Sequence, residues 1–412
     1  MRSAQTILVV TCGALSRHPR ALKEATALGE AGFAVTVLTV ENHASSAAYD
    51  RELLQGAPFR RVALDHLARR GLPAWRSAAS RLATRLARSG VRFGYESAQA
   101  LGPARRLGRM ARDLPADLTI VHTEMPFWIG CELLTRGRRV AADFEDWHSR
   151  DLLPEARSAR PMRLLARMEQ TLLCGAAYTS TTSFAMARAL QAAFGGVAPV
   201  VLTNSFPLQP APPPRPADQP PAFFWFSQTI GPGRGLESFL AAWTRTTRPS
   251  RLVLLGDVAP DYREGLKRSL PAERGARLEF LPLTSPAELP AVIARHDLGL
   301  ALELGSPANK DLTISNKILQ YLNAGLGVIA SETAGQREVL ERSPGAGILV
   351  ALADPAALAG QLDRLLADRP RLEAMGRAAR RAAETTYCWE REAPRLVAAV
   401  EAALQAPPPA RA

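Results

Sequence analysis

Three short stretches of this sequence carry residue types that bind anions or move protons. The first is Asp311 to Ser331, DLTISNKILQYLNAGLGVIAS. Ser315 is a good helix N-cap, because its hydroxyl accepts a hydrogen bond from a free amide of the first turn. Ile318, Leu319 and Leu322 then form an apolar stripe, Gly325 suits a left-handed cap, and Val328 to Ala330 reads as a short buried strand. Thr313, Ser315, Asn316 and Lys317 gather at the amino end, where unpaired amides and the helix dipole favour phosphate. A capped core helix with ordinary polar residues fits the same spacing. The second stretch is the loop Ser227 to Gly235, SQTIGPGRG, which holds Gln228, Thr229, Gly231, Gly233 and Arg234. Its glycines permit close backbone approach, and Arg234 adds a fixed cation beside the amino end of the next helix, so a pyrophosphate suits it. A tight strand-to-helix turn would need the same glycines.

The third stretch is Asp143-Phe-Glu-Asp-Trp-His148, following a strand. Asp143, Glu145, Asp146 and His148 together are able to bind a sugar or a hydroxyl nucleophile, or to tune one another's protonation. Polar capping of the next helix is the structural alternative. His122 and Glu124 close the preceding strand and are expected on the same acceptor side as Asp143. Gly13, in the loop after the first strand, lets backbone approach a donor. No D-x-D is present, so no metal site is expected.

The elements that must position these residues alternate strand and helix. Thr6 to Val10, Ala34 to Val40, Asp117 to His122, Val140 to Phe144, Tyr178 to Thr182 and Val200 to Leu202 read as strands. Helices over Arg20–Glu30, Met125–Arg136 and Met162–Ala176 separate several of them, which implies a parallel sheet. Pro207 to Pro221, PLQPAPPPRPADQPP, is an extended linker, because proline blocks both helix and central strand. Beyond it the alternation restarts with strands over Phe223–Phe226, Leu252–Leu255, Leu278–Leu281 and Leu298–Leu302. The chain ends in helices over Pro355–Leu366, Arg371–Glu384 and Glu390–Gln405. The predicted organisation is an amino-terminal domain over 1–206, a linker over 207–221, a second domain over 222–385, a helix within 386–405 and a disordered tail over 406–412. Ligands of such paired α/β domains commonly bind in the cleft between them.

At 412 residues the chain exceeds what one core usually supports, in agreement with two domains. No apolar run approaches the roughly 20 residues of a membrane span, and the start reads as a buried strand, not a signal peptide. Cys12, Cys131, Cys174 and Cys388 are widely spaced, which suits a reducing cytosol and argues against disulfides or structural zinc. The formal charge of +12 is concentrated. From Arg60 to Arg112, thirteen arginines face only Asp65 and Glu96, a net of +11. Leu67, Leu72, Trp75, Leu82, Leu86 and Phe93 lie among them, so the segment reads as amphipathic helix suited to an anionic membrane surface. Solvated helix faces are the alternative. Nucleic acid is not expected as a partner, since no recognised motif accompanies the arginines.

The order TIGPGRGLE, LVLLGD, DLGLALE, ISNKILQYLNAGLGVIAS and a YCWE close resembles glycosyltransferase family 4, most fully in the carboxyl half. The resemblance implies an α/β GT-B fold, two Rossmann-like domains with parallel sheets facing across a cleft. It implies a retaining, hexosyltransferase-type enzyme that moves a sugar from a nucleotide-sugar donor to a glycan or lipid-linked acceptor, without a metal cofactor. Arg234 matches the basic residue that contacts the donor diphosphate, and Gln320 falls where the family has a glutamate on the ribose. Gln228 replaces a second phosphate-binding arginine, leaving Lys310 or Lys317 to supply that charge. Leu312 stands where the first of the family's paired glutamates would be, and Glu303 is the nearest candidate for its role. The last helix is expected to cross back to the first domain. A cytoplasmic enzyme of cell-surface polysaccharide biosynthesis, peripheral at the inner membrane face, is the resulting expectation. A non-catalytic protein that binds a sugar nucleotide or glycan is the alternative that Gln320 motivates. A nicotinamide-dependent oxidoreductase is disfavoured, because neither half carries the dinucleotide fingerprint with its acidic partner.

Overall fold

β-Branched and aliphatic runs bounded by glycine or polar turns form the strands, and their continuous burial identifies sheets covered on both faces. In the computed structural model, which describes residues 5–42, 50, 53–67, 71–211 and 219–407, these strands assemble into two separate sheets. Met1–Leu202 with Ala393–Ala412 form one unit, and Thr203–Glu392 form the other.

The first unit holds β1 (Thr6–Val10), β2 (Ala34–Glu41), β3 (Arg60–Asp65), β4 (Leu118–His122), β5 (Val140–Phe144), β6 (Tyr178–Thr181) and β7 (Val200–Val201). They lie in the order β3-β2-β1-β4-β5-β6-β7 and every pairing is parallel. The second unit holds β8 (Ala222–Ile230), β9 (Arg251–Val258), β10 (Leu278–Leu281), β11 (Leu298–Ala301), β12 (Gly327–Ser331) and β13 (Gly347–Val350). Its order is β10-β9-β8-β11-β12-β13, again all parallel. Each sheet therefore reverses its winding once, beside β1 and β4 in the first unit and beside β8 and β11 in the second. Loops at such a reversal leave in opposite directions and open a crevice beyond the strand carboxyl ends.

Two expectations change. The arginine-rich segment is not helical throughout: Arg60–Asp65 is strand β3, and helices span Gly71–Val91 and Ala104–Asp113. The aliphatic run Val62, Ala63 and Leu64 allows the edge pairing with β2 that outweighs helix propensity here. Arg69 and Arg70 lie outside the described residues. β8 is also longer than the apolar run, because a register shift between Phe226 and Thr229 lets Thr229 and Ile230 pair with Asp257 and Val258. Gln228 and Thr229 thus belong to the outer end of a strand, not to a loop.

Part of the proline-rich stretch is fixed to the second unit. Asn323 Nδ2 donates to the Pro207 carbonyl (2.8 Å), its Oδ1 accepts from the Gln209 amide (3.0 Å), and Arg380 Nη2 donates to the Gln209 carbonyl (2.7 Å). Residues 212–218, the remainder of the prolines' core, lie outside the described residues. The helix Trp389–Gln405 begins in the second unit, and from Ala393 onward it groups with the first.

The helix Asn316–Asn323 depends on a glycine in the strand beneath it. Tyr321 is fully buried, and its hydroxyl donates to the Leu300 carbonyl (3.2 Å). Its ring occupies the face of β11 that Gly299 leaves open: a Cβ there would lie 2.2 Å from Tyr321 Cγ. Gly299→Ala is therefore expected to destabilise the protein by about 1–3 kcal/mol, the usual range for overpacking a filled core. Urea unfolding monitored by circular dichroism measures this, and an unchanged midpoint would show that the ring yields without cost.

Candidate active site

At the reversal of the second sheet, the loop after β8 meets the segment after β11. Gly235 is the N-cap of the helix Leu236–Trp243 and has φ +76. A Cβ on it would sit 3.0 Å from Leu302 Cβ and 3.1 Å from Leu352 Cδ1. Only glycine meets both the left-handed backbone and the close approach. This contact places exposed Arg234 beside the chain that leads directly into Glu303. Gly233 also has positive φ, and the Arg234 guanidinium donates to Ser227 Oγ at 3.5 Å.

Glu303 is tied from several sides. Its amide donates to Ser331 Oγ (2.9 Å), its Oε1 receives Lys317 Nζ (2.8 Å), and Ser315 Oγ donates to the same oxygen (3.2 Å). Burial pushes its carboxyl up, but the Lys317 charge and these hydrogen bonds outweigh it and hold it below the usual glutamate range. Lys317 lies in addition 5.6 Å from the centroid of the buried Trp225 ring. Ser315 caps the helix, accepting from the Lys317 amide at 3.3 Å. The structure thus brings Glu303, Ser315 and Lys317 into one cluster, with Asn316 exposed at the helix start and Gln320 half-buried one turn on. Lys310 is exposed on a short helix over Ala308–Leu312. Thr313 departs from the expected anion-binding role, since its hydroxyl is committed to the Asn309 carbonyl at 2.7 Å.

In the first unit, His122 and Asp143 do not face an acceptor. Both are buried in a four-member charge network with Arg20 and Glu24. Arg20 grips Asp143 through Nε to Oδ2 (2.6 Å) and Nη2 to Oδ1 (2.7 Å), and donates from Nη1 to the Leu202 carbonyl (2.9 Å). His122 Nδ1 lies 3.2 Å from Asp143 Oδ2, and its Nε2 lies 3.0 Å from Glu24 Oε2. Ser180 Oγ also donates to Asp143 (2.7 Å). Burial alone would strip the His122 charge, but Glu24 and Asp143 outweigh it and push its pKa up to about 10. Burial likewise opposes the Asp143 charge, yet Arg20 and His122 hold that carboxyl far below its ordinary range. Glu24, His122 and Asp143 are the one metal-like trio among the described residues, their ligand atoms within 4.8 Å of one another. Two cations already neutralise its two carboxylates, so the site needs no ion to balance its charge. Sequence reasoning missed Arg20 and Glu24. Their signal was a charged i, i+4 pair on the same helix face as Ala21, Ala25 and Leu28.

The carboxylates that remain accessible lie further along. Glu145 and Asp146 are both half-buried beyond β5. Burial pushes the Glu145 carboxyl up to about 7, Arg20 opposes this, and Asp146 and Asp143 add to it. A carboxylate poised there suits proton transfer near neutrality. Burial lowers the His148 pKa, with Asp146 and Asp143 opposing the shift, and its ring stands edge-on to Phe127 at 5.2 Å. Glu124 is paired with Arg160. At the reversal of this sheet, Cys12 Sγ lies 3.0 Å from Thr123 Oγ1, and Gly13 has φ +81. Thr123 itself has φ 68, the one non-glycine residue with positive φ among the described residues. A β-branched residue there is strained, as occurs at sites whose surroundings over-determine the backbone.

Residues 220–368 match the family model described as glycosyl transferases group 1. The chain is similar in fold to Anabaena HepE in complex with UDP, with TM-score 0.68 and 16% identity over 96% of this chain and 99% of that one. It is similar to sucrose-phosphate synthase from Thermosynechococcus elongatus, with TM-score 0.66 and 17% identity over 96% and 98% of the two chains. It is also similar to WaaG, a glycosyltransferase involved in lipopolysaccharide biosynthesis, with TM-score 0.59 and 13% identity over 95% and 99%. No curated protein matches the sequence. The fold is α/β of the GT-B type, and the matched region spans both the Arg234 loop and the Asn316 helix.

The buried network makes stability depend on pH. The His122 pKa in the folded state, about 10, lies above the ordinary 6.5, so its contribution is complete below pH 6.5 and is lost as pH rises through 10. Asp143 acts oppositely: its contribution is present above its ordinary 3.8 and is lost only as pH falls below that. His122→Leu is expected to cost about 3–5 kcal/mol at pH 7, since it removes a buried cation and leaves Glu24 only the longer 3.8 Å contact with Arg20. It should also flatten the loss of stability between pH 6.5 and 10. Guanidinium unfolding across that range checks both, and an unaltered slope in the variant would assign the titration to another group.

Proposed function

We propose, from a second unit that matches the group 1 glycosyl transferases, that the chain is a retaining glycosyltransferase using a nucleotide-sugar donor. The observation that carries this reading is the convergence, at the β8–β11 reversal, of the Arg234 loop with the Glu303–Lys317–Ser315 cluster. HepE was solved with UDP and with UDP-glucose, which makes uridine nucleotides the first donors to test. As the sugar leaves, negative charge grows on the nucleoside diphosphate. Arg234, Lys310 and Lys317, with the amides at the start of the Asn316 helix, offset it without reorganisation. Glu303 holds Lys317 in place beforehand, and Gln320 hydrogen-bonds the ribose. The sugar passes through an oxocarbenium-like state, and the acceptor hydroxyl attacks from the face the leaving group departs. Glu145, titrating near neutrality, is the candidate to receive the acceptor proton, with Asp146 and His148 shaping its surroundings. The cations supply the charge compensation, so the reading needs no metal ion.

The acceptor is a glycan or lipid-linked molecule in cell-surface polysaccharide biosynthesis, reached at the cytoplasmic face of a membrane. No helix among the described residues is long and apolar enough to cross one. Support for a peripheral mode comes from the helix Gly71–Val91. Its Trp75, Leu82 and Leu86 share one face and are exposed, as is Phe93 beyond its end. Arginines flank that apolar row, the composition of an interfacial helix.

Incubation with a panel of nucleotide sugars, watching for release of the nucleoside diphosphate, tests the activity. Arg234→Ala and Lys317→Met should each lower kcat/KM by about 10²–10³, the usual cost of losing one group that stabilises developing charge. Tight donor binding with no release across many acceptors would instead favour a sugar-nucleotide binding protein, a reading that Gln320 and the already neutralised Lys317 motivate. Cosedimentation with phosphatidylglycerol vesicles should be strong at low salt, weaker at high salt, and reduced by Trp75→Ser with Leu86→Ser. Equal recovery with phosphatidylcholine would remove the membrane role.

A further inference from the structure

The first unit contains a cavity of about 700 Å³ whose chemistry none of the roles above uses. One wall is a row of arginines, Arg81, Arg85 and Arg88, at spacings that keep one helix face, with Arg92 just beyond the helix end. The row is ~110° around the helix from the exposed Trp75, Leu82 and Leu86, at 3.6 residues per turn, so the two faces are distinct. The opposite wall is built where strands end: Gly13 after β1, Asn42 after β2 and His66 after β3. Among the described residues no aspartate or glutamate lines the cavity. Among the described residues no carboxylate forms an ion pair with any of the four arginines. Arg81 and Arg88 instead donate to the His66 and Ala100 carbonyls, at 2.9 and 3.0 Å, which orients them without neutralising them.

A second observation points to a ligand. Thr84 Oγ1 and His66 Nδ1, both in residues that line the cavity, are buried with no hydrogen-bond partner. Burial and then the Arg81 and Arg106 charges keep the His66 ring neutral, so it is able to accept as well as donate a hydrogen bond. Gly13 has left-handed backbone, and a Cβ there would stand 3.4 Å from His18 Nε2 and 3.7 Å from Asn42 Oδ1, narrowing the inner end. Four uncompensated guanidinium groups in one concave wall attract an anion of more than one charge, and Arg matches phosphate oxygens in a bidentate manner. The volume suits a ligand of a few sugar units.

We infer that this cavity binds the phosphoryl part of the acceptor, a sugar or polyol that carries a phosphate or diphosphate ester. The arginine row holds the phosphoryl oxygens, and Thr84, His66 and the strand ends receive hydroxyl groups. As an acceptor site the inference rests on the transferase reading; as an anion site it stands on the cavity alone. The same chemistry is offered by a soluble sugar phosphate and by a lipid diphosphate, which the test separates.

Calorimetric titration of the full chain with glucose 1-phosphate, and with dodecyl diphosphate in neutral detergent micelles, provides that test. The pair Arg85→Ser and Arg88→Ser, on an exposed helix face, should weaken binding at least tenfold with an unchanged melting curve. Arg85→Lys with Arg88→Lys should recover part of the affinity, and Arg234→Ser, in the other unit, should leave this binding intact. A loss seen with glucose 1-phosphate identifies a soluble ester, and a loss confined to the micellar probe identifies a lipid-linked one. Absence of binding to both probes, or binding indifferent to the arginine pair, or abolished equally by Arg234→Ser, overturns the inference. Arginine-dependent binding without nucleoside diphosphate release from any donor would overturn the transferase reading and leave the anion site standing.

Discussion

Everything functional in this molecule follows from a constraint of all-parallel sheets. Every strand points the same way, so all loops that leave carboxyl ends gather along one edge, and a crevice opens only where the winding reverses. In the second unit that point lies between β8 and β11. The Arg234 loop follows the first of these strands and Glu303 follows the second. Gly235 is what lets them meet, because a side chain there would strike Leu302. In the first unit the corresponding point lies between β1 and β4, and there Cys12, Gly13 and the strained Thr123 come together.

The two units spend charge differently. Arg20, Glu24, His122 and Asp143 form a buried set of two cations and two anions, each within 3.8 Å of an opposite charge. Such a set joins the first helix to β4 and β5 and has no charge left to offer a ligand. At its candidate site the second unit leaves Arg234 and Lys310 exposed and couples Lys317 to Glu303. A carboxylate that orients a lysine beforehand reduces what must be ordered when an anion arrives. The arginine row of the helix Gly71–Val91 follows the same logic, with Arg81 and Arg88 oriented by backbone carbonyls and not by acids.

Much of this was legible from residue order. The mainly apolar runs at Thr6–Val10, Val140–Phe144 and Leu278–Leu281 become strands with those bounds, and the helix Pro355–Leu366 keeps its bounds as well. Ser315 caps its helix as its hydroxyl and position foretold. Local chemistry suffices in these cases, since the pattern and the cap involve residues near one another in the chain. The errors share the opposite character. Arg60–Asp65 looked helical beside so many arginines, and became a strand because β2 offered an unpaired edge. Gln228 and Thr229 looked like loop, and joined β8 because β9 extends alongside them.

Residue types and spacing by themselves therefore determined two runs of alternating strand and helix, a glycine-rich turn with a cation after β8, and a capped helix with a lysine at its start. Tertiary structure alone decided which charges are spent. Nothing within a few residues of His122 or Asp143 reveals that Arg20 and Glu24, far earlier in the chain, will neutralise them in the core. Nor does the chain near Glu303 announce that its partner is Lys317, or that Arg81 to Arg92 will wall a cavity with no acid in it. Burial raises the cost of an unpaired charge and contact supplies its partner, and both are set only when distant segments pack.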